Sequence, residues 1–308
     1  MSQIRFSGLL SFAVTLSVVH AEPRCPGNVA SLTLRLVQGA LIVVPVEINQ
    51  SGPYDFIVDT GAQITTIDTT LASELRLKLQ GATGVGGIAT STRSAFAYLD
   101  LLQAGTHAVA NSLVVIQDLA QLKATDSRIR GILGENFLAH FDLLIDNRQR
   151  ILCLDDSDAL ARAVKGEHIA LEEPKGGNED LPFTRPIIVS ARLSGLVSGP
   201  SATSVLLRLD SGSNAPVLYD DDMRLRNTSI AGSSLLNRVV SSVEQRFAVL
   251  PPQDIRVGSH LVRQVSFVMP MNSIGSKPTL REDGLLPTVA FQRVFISYHD
   301  SYTVLDPW

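Results

Sequence analysis

Two short stretches of the sequence each have an aspartate directly after an apolar run. Residues 54–68 read YDFIVDTGAQITTID and residues 204–220 read SVLLRLDSGSNAPVLYD, so Thr-Gly follows Asp59 and Ser-Gly follows Asp210. Two carboxyl groups held about 3 Å apart cannot both ionise, and they therefore share one proton. Such a pair holds a base and an acid at the same pH, which hydrolysis of an amide bond without a metal requires. These residue types make Asp59 and Asp210 candidate catalytic residues.

Each aspartate also has a purely structural interpretation. Asp often begins a turn by accepting a hydrogen bond from its own backbone, and a tripeptide such as Asp-Thr-Gly is short enough to occur by chance. The rest of the sequence has to distinguish the two interpretations.

The chain repeats itself at a nearly constant spacing. The two aspartates are 151 residues apart (210 − 59), and GTH at 105–107 matches GSH at 258–260, which lies 153 residues later (258 − 105). RGILGENF at 130–137 likewise matches DGLLPTVA at 283–290. Recurrence of several landmarks in the same order indicates an internal duplication.

Both halves consist of short β-branched and apolar runs separated by turn residues, and a helical pattern is sparse. The sequence has 308 residues and is 45% hydrophobic, which is enough material for two domains with their own cores. We predict a mainly β fold with two similar lobes, at residues 22–157 and 182–308. A charged linker that contains Gly and Pro joins them at residues 158–181.

Residues 1–21 have the layout of a secretory signal peptide. A short segment with one arginine precedes an apolar run, which ends in small residues near Ala21. The run is shorter than the about 20 apolar residues of a membrane-spanning helix, although an uncleaved anchor stays an alternative. We predict cleavage near Ala21 and a secreted or periplasmic protein without a membrane span in the mature chain.

The chain contains two cysteines, Cys25 and Cys153. In an oxidising compartment they could pair and tie the mature N-terminus to the end of the first half. Two unpaired thiols, with Cys153 buried in a strand, are the alternative.

The motifs of the first half follow a recognisable order. An apolar strand, Asp-Thr-Gly-Ala at 59–62, a second apolar strand, the glycine-rich GATGVGG at 81–87 and GILGENFLAHFDLLID at 131–146 succeed one another. This order resembles the retropepsin-like family of aspartic proteases, in its bacterial form. Two such units in one chain resemble the pepsin arrangement, in which each lobe contributes one aspartate. The resemblance implies two homologous retropepsin-like β-barrel lobes with a cleft between them, where Asp59 and Asp210 are catalytic.

The resemblance also implies supporting roles for the neighbours of the two aspartates. The hydroxyls of Thr60 and Ser211 would hydrogen-bond to the opposite loop. Gly61 and Gly212 would let the loops approach where a Cβ would clash. Behind the first loop, an apolar-apolar-glycine segment would support it; its residues are Ile132, Leu133 and Gly134.

The glycine-rich segment would form a flap, a hairpin that opens and closes over a bound peptide. A plain flexible turn is the alternative. The predicted flap and substrate-binding residues are Gly81, Thr83, Gly84, Val85, Gly86 and Gly87.

The second half departs from the family pattern. Where the first half has Ile-Leu-Gly, the second has Leu-Leu-Pro, ending at Pro287. Proline lacks an N–H and has a restricted φ, so we expect altered support behind Asp210. Ser213 is expected to donate a hydrogen bond toward a carboxylate, which would favour the charged form of that carboxylate.

Other chemistries have little support in the sequence. A formal net charge of −4 without a run of Lys or Arg argues against nucleic-acid binding, and no His, Cys and Asp cluster has metal-ligand spacing. We predict an aspartic endopeptidase that acts on a peptide or protein substrate as a monomer, without a metal or cofactor. Two alternatives stay open: a homodimer that pairs Asp59 of two chains, and a catalytically silent protein that binds a peptide or a partner.

Overall fold

The structure is a computed structural model. It describes residues 24–86, 91–172, 185–194, 203–219, 234–240, 243–271 and 282–308. The predicted signal peptide, Gly87 and residues 173–181 of the predicted linker lie outside the described residues. The described part of the chain is mainly β, which confirms the fold class that the short apolar runs predict.

The first half of the chain alternates strands with short helices, after a 3-10 turn at Pro26–Asn28. In chain order the elements are β1 (Ser31–Leu32), β2 (Arg35–Val37), β3 (Leu41–Ile48), β4 (Ser51–Val58), β5 (Thr66–Asp68), α1 (Thr69–Glu74), β6 (Gly81–Gly86), β7 (Ser91–Ala104), β8 (His107–Gln117), α2 (Ala120–Thr125), β9 (Ile129–Leu133), α3 (Glu135–Leu138), β10 (Asp142–Asp146), β11 (Ile151–Asp155) and α4 (Ala159–Ala163). The described helices have four to six residues, and none is long and apolar enough to cross a membrane.

The second half contains mostly strands and a 3-10 turn at Thr288–Ala290. Its described strands are β12 (Ile169–Ala170), β13 (Ile188–Ser194), β14 (Thr203–Asp210), β15 (Val217–Leu218), β16 (Ser234–Val240), β17 (Val243–Val249), β18 (Gln253–Val257), β19 (His260–Val265), β20 (Val268–Pro270), β21 (Gly284–Pro287), β22 (Phe291–Ser297) and β23 (Tyr302–Pro307). The predicted linker includes α4 and β12, so part of it is regular structure.

One curled sheet forms the first lobe. Within the described residues its strand order is β2-β3-β4-β9-β5-β8-β7-β6, and β3 also pairs with β7. That second pairing, with Val46 opposite Ala104, brings distant strands of the sheet together. The result is a barrel-like lobe, because a sheet whose distant strands pair closes on itself.

The second lobe repeats these pairings with changes. β14 runs parallel to β21 as β4 runs parallel to β9, with Leu209 opposite Leu286 and Val58 opposite Leu133. The described strand order is β16-β17-β20-β15-β21-β14-β13-β18-β19. The long hairpin β7–β8 of the first lobe corresponds to two shorter pairs, β17–β20 and β18–β19. The common pairings support the internal duplication, and the shortened strands show how far the halves have diverged.

A third sheet joins the lobes, in the order β1-β11-β10-β22-β23-β12. At its centre β10 pairs antiparallel with β22, with Ile145 opposite Val294. β10 and β11 are buried along their whole length. Because both halves contribute strands to this sheet, the lobes pack as one body.

A disulfide between Cys25 and Cys153 holds the N-terminal segment against this joining sheet. The two Cα atoms are 6.0 Å apart, and the bridge closes a separation of 128 residues. Cys153 lies on β11, where Ser31 of β1 pairs with it. The structure thus contains the paired form of the two cysteines.

The apolar residues at the strand ends explain where the two aspartates lie. Val58, Leu133, Leu209 and Leu286 are fully buried members of one core cluster that spans both lobes. Burying such side chains stabilises the fold by roughly 1.5–3 kcal/mol each. The first polar residue after β4 therefore emerges at the lobe interface, and so does the last residue of β14.

Candidate active site

Asp59 and Asp210 lie on facing loops, and the carboxyl group of each lies against the glycine of the opposite loop. Asp59 directly follows β4, and Asp210 is the last residue of β14. Asp210 is only 6% exposed, whereas Asp59 is partly exposed. The tertiary structure thus brings together two carboxyl groups that are 151 residues apart in the sequence.

Reciprocal hydrogen bonds of Thr60 and Ser211 tie the two loops together. The Thr60 Oγ1 donates to Leu209 O at 2.8 Å and accepts from the Ser211 N–H at 3.0 Å. The Ser211 Oγ donates to Val58 O at 2.8 Å and accepts from the Thr60 N–H at 3.1 Å. Both residues are at least 98% buried, so these bonds have no competition from water. Each hydroxyl lies in the position that the family resemblance implies.

Gly61 and Gly212 leave room for the carboxyl groups. A Cβ on Gly212 would lie 2.2 Å from Cγ of Asp59, and a Cβ on Gly61 would lie 2.7 Å from Cγ of Asp210. Real Cβ contacts are never this short, so each loop needs glycine opposite the other lobe's aspartate. The predicted reason for these glycines, a close approach of the two loops, matches the observed geometry.

Burial raises the pKa of both aspartates. Burial is the main cause for Asp59, and the N–H groups of Gly61 and Ala62, at 2.8 and 3.0 Å from its Oδ1, lower the pKa in part. The pKa of Asp210 is raised well above its usual range by burial and by the charge of Asp59. Only the Gly212 N–H, at 2.7 Å, donates to Oδ1 of Asp210 among the bonds described. This asymmetry favours the proton on Asp210 and the negative charge on Asp59.

The segment behind the first loop is strand β9. Ile132 and Leu133 pair with Ile57 and Val58 of β4, and the Asp59 N–H donates to Leu133 O at 3.0 Å. A Cβ on Gly134 would lie 2.7 Å from the carbonyl carbon of Ile64. Ile132, Leu133 and Gly134 therefore lie directly behind the loop that carries Asp59.

The equivalent strand of the second lobe keeps its place despite the proline. Pro287 pairs with Asp210 on β14, one residue beyond the pair Leu209–Leu286. The N–H of Gly134 donates to Oγ1 of Thr65 at 3.1 Å, a bond that Pro287 cannot make because it has no N–H. The expected change of support thus includes the loss of this hydrogen bond, while the strand pairing behind Asp210 is retained.

The expectation for Ser213 is wrong. Its hydroxyl donates to the carbonyl of Ala215 at 2.8 Å, two residues along the same loop. Short polar side chains often bond to nearby backbone groups in turns, and this local bond takes the proton that was assigned to a carboxylate. Ser213 therefore does not adjust the charge of the aspartate pair.

The predicted flap lies in strand β6, which pairs with β7 from Gly81 opposite Phe96 to Gly86 opposite Ser91. Thr83 and Gly84 belong to this pairing, and a Cβ on Gly84 would meet nothing within 4 Å. Val85 and Gly86 follow in the same strand, and Gly87 lies outside the described residues. The two strands of a hairpin are present, and their contact with a substrate stays a prediction.

A group of buried charges near the aspartates was not predicted. Arg208 is 4% exposed, Glu282 is 6% exposed and Glu135 is fully buried. The signal for Arg208 was its position inside an otherwise apolar strand, in SVLLRLD. No such signal marks Glu282, which stands in the polar run RED at 281–283, or Glu135, which lies between Gly134 and Asn136.

We expect the Glu135→Gln substitution to flatten the pH dependence of stability between about pH 5 and 8. Burial raises the pKa of Glu135 from 4.5 to about 8, against the lowering effect of the Arg208 and Arg185 charges. In this window the folded protein holds a proton that the unfolded chain has released, so the free energy of unfolding of the wild type falls as pH rises. The full loss is on the order of 5 kcal/mol.

Urea unfolding at about pH 5, 6.5 and 8 measures this difference. Glu74→Gln is the matched control, because Glu74 is 56% exposed in its ion pair with Arg130, and this variant should keep the slope of the wild type. An unchanged slope in Glu135→Gln would show that Glu135 is ionised in the folded protein at neutral pH.

In the described part of the chain, no group of three or more His, Cys, Asp or Glu side chains could hold a metal ion. Asp59 and Asp210 instead form a pair of carboxyl groups on facing loops. This arrangement can accept a proton from water on one carboxylate and donate a proton from the other.

Comparison with known proteins finds similarity over part of the chain to one protein family. Residues 44–137 match the family model described as aspartyl protease, which confirms the resemblance that the motifs of the first half indicate. Among solved structures, a retropepsin-like aspartic protease from Rickettsia conorii is 19% identical, covers 41% of this chain and 90% of its own, and has a TM-score of 0.31. An aspartic proteinase from Irpex lacteus is 12% identical, covers 90% of this chain and 97% of its own, and has a TM-score of 0.46. No curated protein sequence matches the chain.

Proposed function

We propose that this chain, whose residues 44–137 match the aspartyl protease family, is an endopeptidase that uses Asp59 and Asp210 as one catalytic pair. The observation that carries the proposal is that these two carboxyl groups lie on facing, reciprocally bonded loops, each against the glycine of the opposite loop. Rigid loops matter because catalytic groups act only when they are held in position.

The two aspartates take different roles. Oδ1 of Asp59 accepts two backbone N–H bonds and Oδ1 of Asp210 accepts one. A carboxylate that accepts more hydrogen bonds is more stable in its charged form. Asp59 is therefore assigned as the base and Asp210 as the acid, although the two titrate as a pair.

The proposed reaction returns the pair to its starting state. Asp59 takes a proton from water while the water oxygen bonds to the carbonyl carbon, and Asp210 gives its proton to the carbonyl oxygen. The amide nitrogen then takes the proton from Asp59 as the C–N bond breaks, and one hydroxyl of the diol returns a proton to Asp210. No cofactor is consumed in this cycle.

The substrate in this proposal is an extended peptide. The hairpin β6–β7 has glycines along β6, which leave its backbone accessible. An extended peptide can add to an exposed strand through main-chain hydrogen bonds. The flap residues Thr83 and Val85 are proposed to contact that peptide.

A monomeric enzyme is favoured over a homodimer that pairs two copies of Asp59. Asp210 of the same chain already occupies the position opposite Asp59, and a Cβ at Gly212 would overlap with the carboxyl group of Asp59. A second chain would have to displace a loop that four hydrogen bonds hold.

Cleavage of an unfolded protein tests the proposal. The purified chain is incubated with denatured protein between about pH 3 and 7, with and without a pepstatin-type inhibitor. We expect cleavage that the inhibitor blocks. Absence of cleavage over the whole range would favour the catalytically silent alternative, which binding of the same peptides would then support.

We also propose that the protein works outside the cytoplasm, after removal of residues 1–21. The disulfide between Cys25 and Cys153 supports this location, because disulfides persist in oxidising compartments. N-terminal sequencing of exported protein checks the cleavage site, which we expect next to Ala21.

A further inference from the structure

Arg208 is an exception in the interior of the protein. Among the described residues, Arg208 is the one Arg or Lys whose side chain is buried, with 4% exposure. It precedes Asp210 by two residues on β14 and pairs with Leu285, whereas Ile57 has the same place before Asp59 and pairs with Ile132. The two halves thus differ here by a full charge. A buried guanidinium costs several kcal/mol unless its partners compensate.

The guanidinium of Arg208 spans the two lobes. Its Nη1 donates to the carbonyl of Gly61 at 3.0 Å, in the active loop of the first lobe. Its Nη2 pairs with Oε1 of Glu282 at 2.9 Å, in the second lobe. Gly61 also lies opposite Asp210 at the contact of the two loops. Arg208 therefore connects the strand of one aspartate to the loop of the other.

The charge of Arg208 acts on both aspartates. It lowers the pKa of Asp59 and of Asp210, against the larger effect of burial. The other charged or titratable groups that face Arg208 are Glu282, Glu135, Tyr219 and Tyr298, and Arg185 faces Glu135. Both tyrosines have their pKa raised by burial and stay neutral. Arg208 is therefore the positive charge in this group that acts on both Asp59 and Asp210.

We propose that Arg208 is a positioning residue of the aspartate pair: it holds the active loop of the first lobe by the carbonyl of Gly61 and supplies the positive charge that stabilises the negative charge of the pair. The inference rests on the proposed function, and it adds a residue that the first half of the chain does not have. Glu282 holds the guanidinium in place and partly neutralises it.

The pH profile of kcat/KM separates this role from a structural one. The active form of the pair carries one negative charge. On the acid limb of the pH profile, kcat/KM falls because protonation removes that charge. In Arg208→Met the limb should move to higher pH by about one unit, since the loss of a nearby positive charge raises a carboxyl pKa. In Glu282→Gln the counter-charge is lost and Arg208 remains, so the limb should move to lower pH.

Two further variants complete the test. Arg208→Lys keeps the charge but not the planar fork of donors, so its acid limb should stay near that of the wild type while kcat falls. Arg130→Met is the matched control, because it removes another ion-paired arginine, bound to Glu74 at 2.7 Å, and it should leave the limb unchanged. Circular dichroism and the thermal midpoint identify variants that fail to fold.

The outcomes distinguish this inference from the proposed function. If the wild type cleaves peptides and Arg208→Met and Glu282→Gln both keep its acid limb, the charge role of Arg208 is wrong. If the wild type does not cleave peptides, the proposed function fails. Carbon-13 NMR titration then measures the pKa of the aspartate carboxyl groups directly, which does not require activity. Equal titration curves in wild type and Arg208→Met would overturn the inference.

Discussion

The Asp59→Asn and Asp210→Asn variants should each lose about 10³-fold or more in kcat/KM, because each removes one half of a proton-transfer pair. General acid–base catalysis by one positioned side chain contributes about 10²–10⁴-fold. An amide has nearly the size of a carboxyl group but neither takes a proton from water nor gives one to a carbonyl. Steady-state cleavage of a fluorogenic peptide measures the loss.

Folding should survive both substitutions. Burial raises the pKa of both carboxyl groups, so the folded protein gains little from their charge and a neutral amide should not lower the thermal midpoint. Asp100→Asn, at an exposed position of β7, is the control for the substitution itself and should keep full activity.

The pattern of losses also identifies the catalytic assembly. If Asp210→Asn stays active while Asp59→Asn does not, the pair must form between two chains, and sedimentation should show a dimer. If both variants stay active, the proposed catalytic pair is refuted.

Gly212→Ala should reduce kcat/KM by about 10²-fold or more and destabilise the fold as well. The added Cβ would lie 2.2 Å from Cγ of Asp59, so the loop of one lobe or the carboxyl group of the other has to move. A misplacement of about 1 Å at a catalytic centre can cost 10²-fold in rate. Overpacking of a tight interior costs about 1–3 kcal/mol. Kinetics and urea unfolding measure the two effects.

Substitutions at two other glycines test whether the effect follows the distance from the added Cβ to its neighbours. Gly61→Ala should have a smaller effect, because its Cβ would lie 2.7 Å from Cγ of Asp210. Gly84→Ala, whose Cβ would meet nothing within 4 Å, should leave the free energy of unfolding nearly unchanged. Equal stability losses in Gly212→Ala and Gly84→Ala would mean that the close approach of the loops does not account for the effect.

Much of the aspartate site could be predicted because its signals are local. Asp59 and Asp210 each follow an apolar strand and precede a hydroxyl residue and a glycine. The repeat of these tripeptides implied that the two loops face each other. Thr60 and Ser211 then make the expected bonds to the opposite loop.

Predictions that depended on side-chain direction were less secure. Ser213 has the right residue type to bond a carboxylate, yet its hydroxyl donates to the backbone carbonyl of Ala215, two residues along the same loop. Pro287 was expected to alter the support of Asp210, but the strand pairing there depends on carbonyl groups and on neighbouring residues as well as on one N–H.

By itself, the sequence determined the mainly β fold and singled out the repeated stretches that contain Asp59 and Asp210, since apolar periodicity and turn residues act over a few neighbouring positions. Only the tertiary structure decided which charges are buried beside that pair. Arg208 and Gly61 are 147 residues apart and yet form a hydrogen bond, and Glu282 comes from a third segment. The pKa of a carboxyl group depends on the burial and charges around it in space, so these residues acquire their effect on the aspartates only when the two lobes pack together.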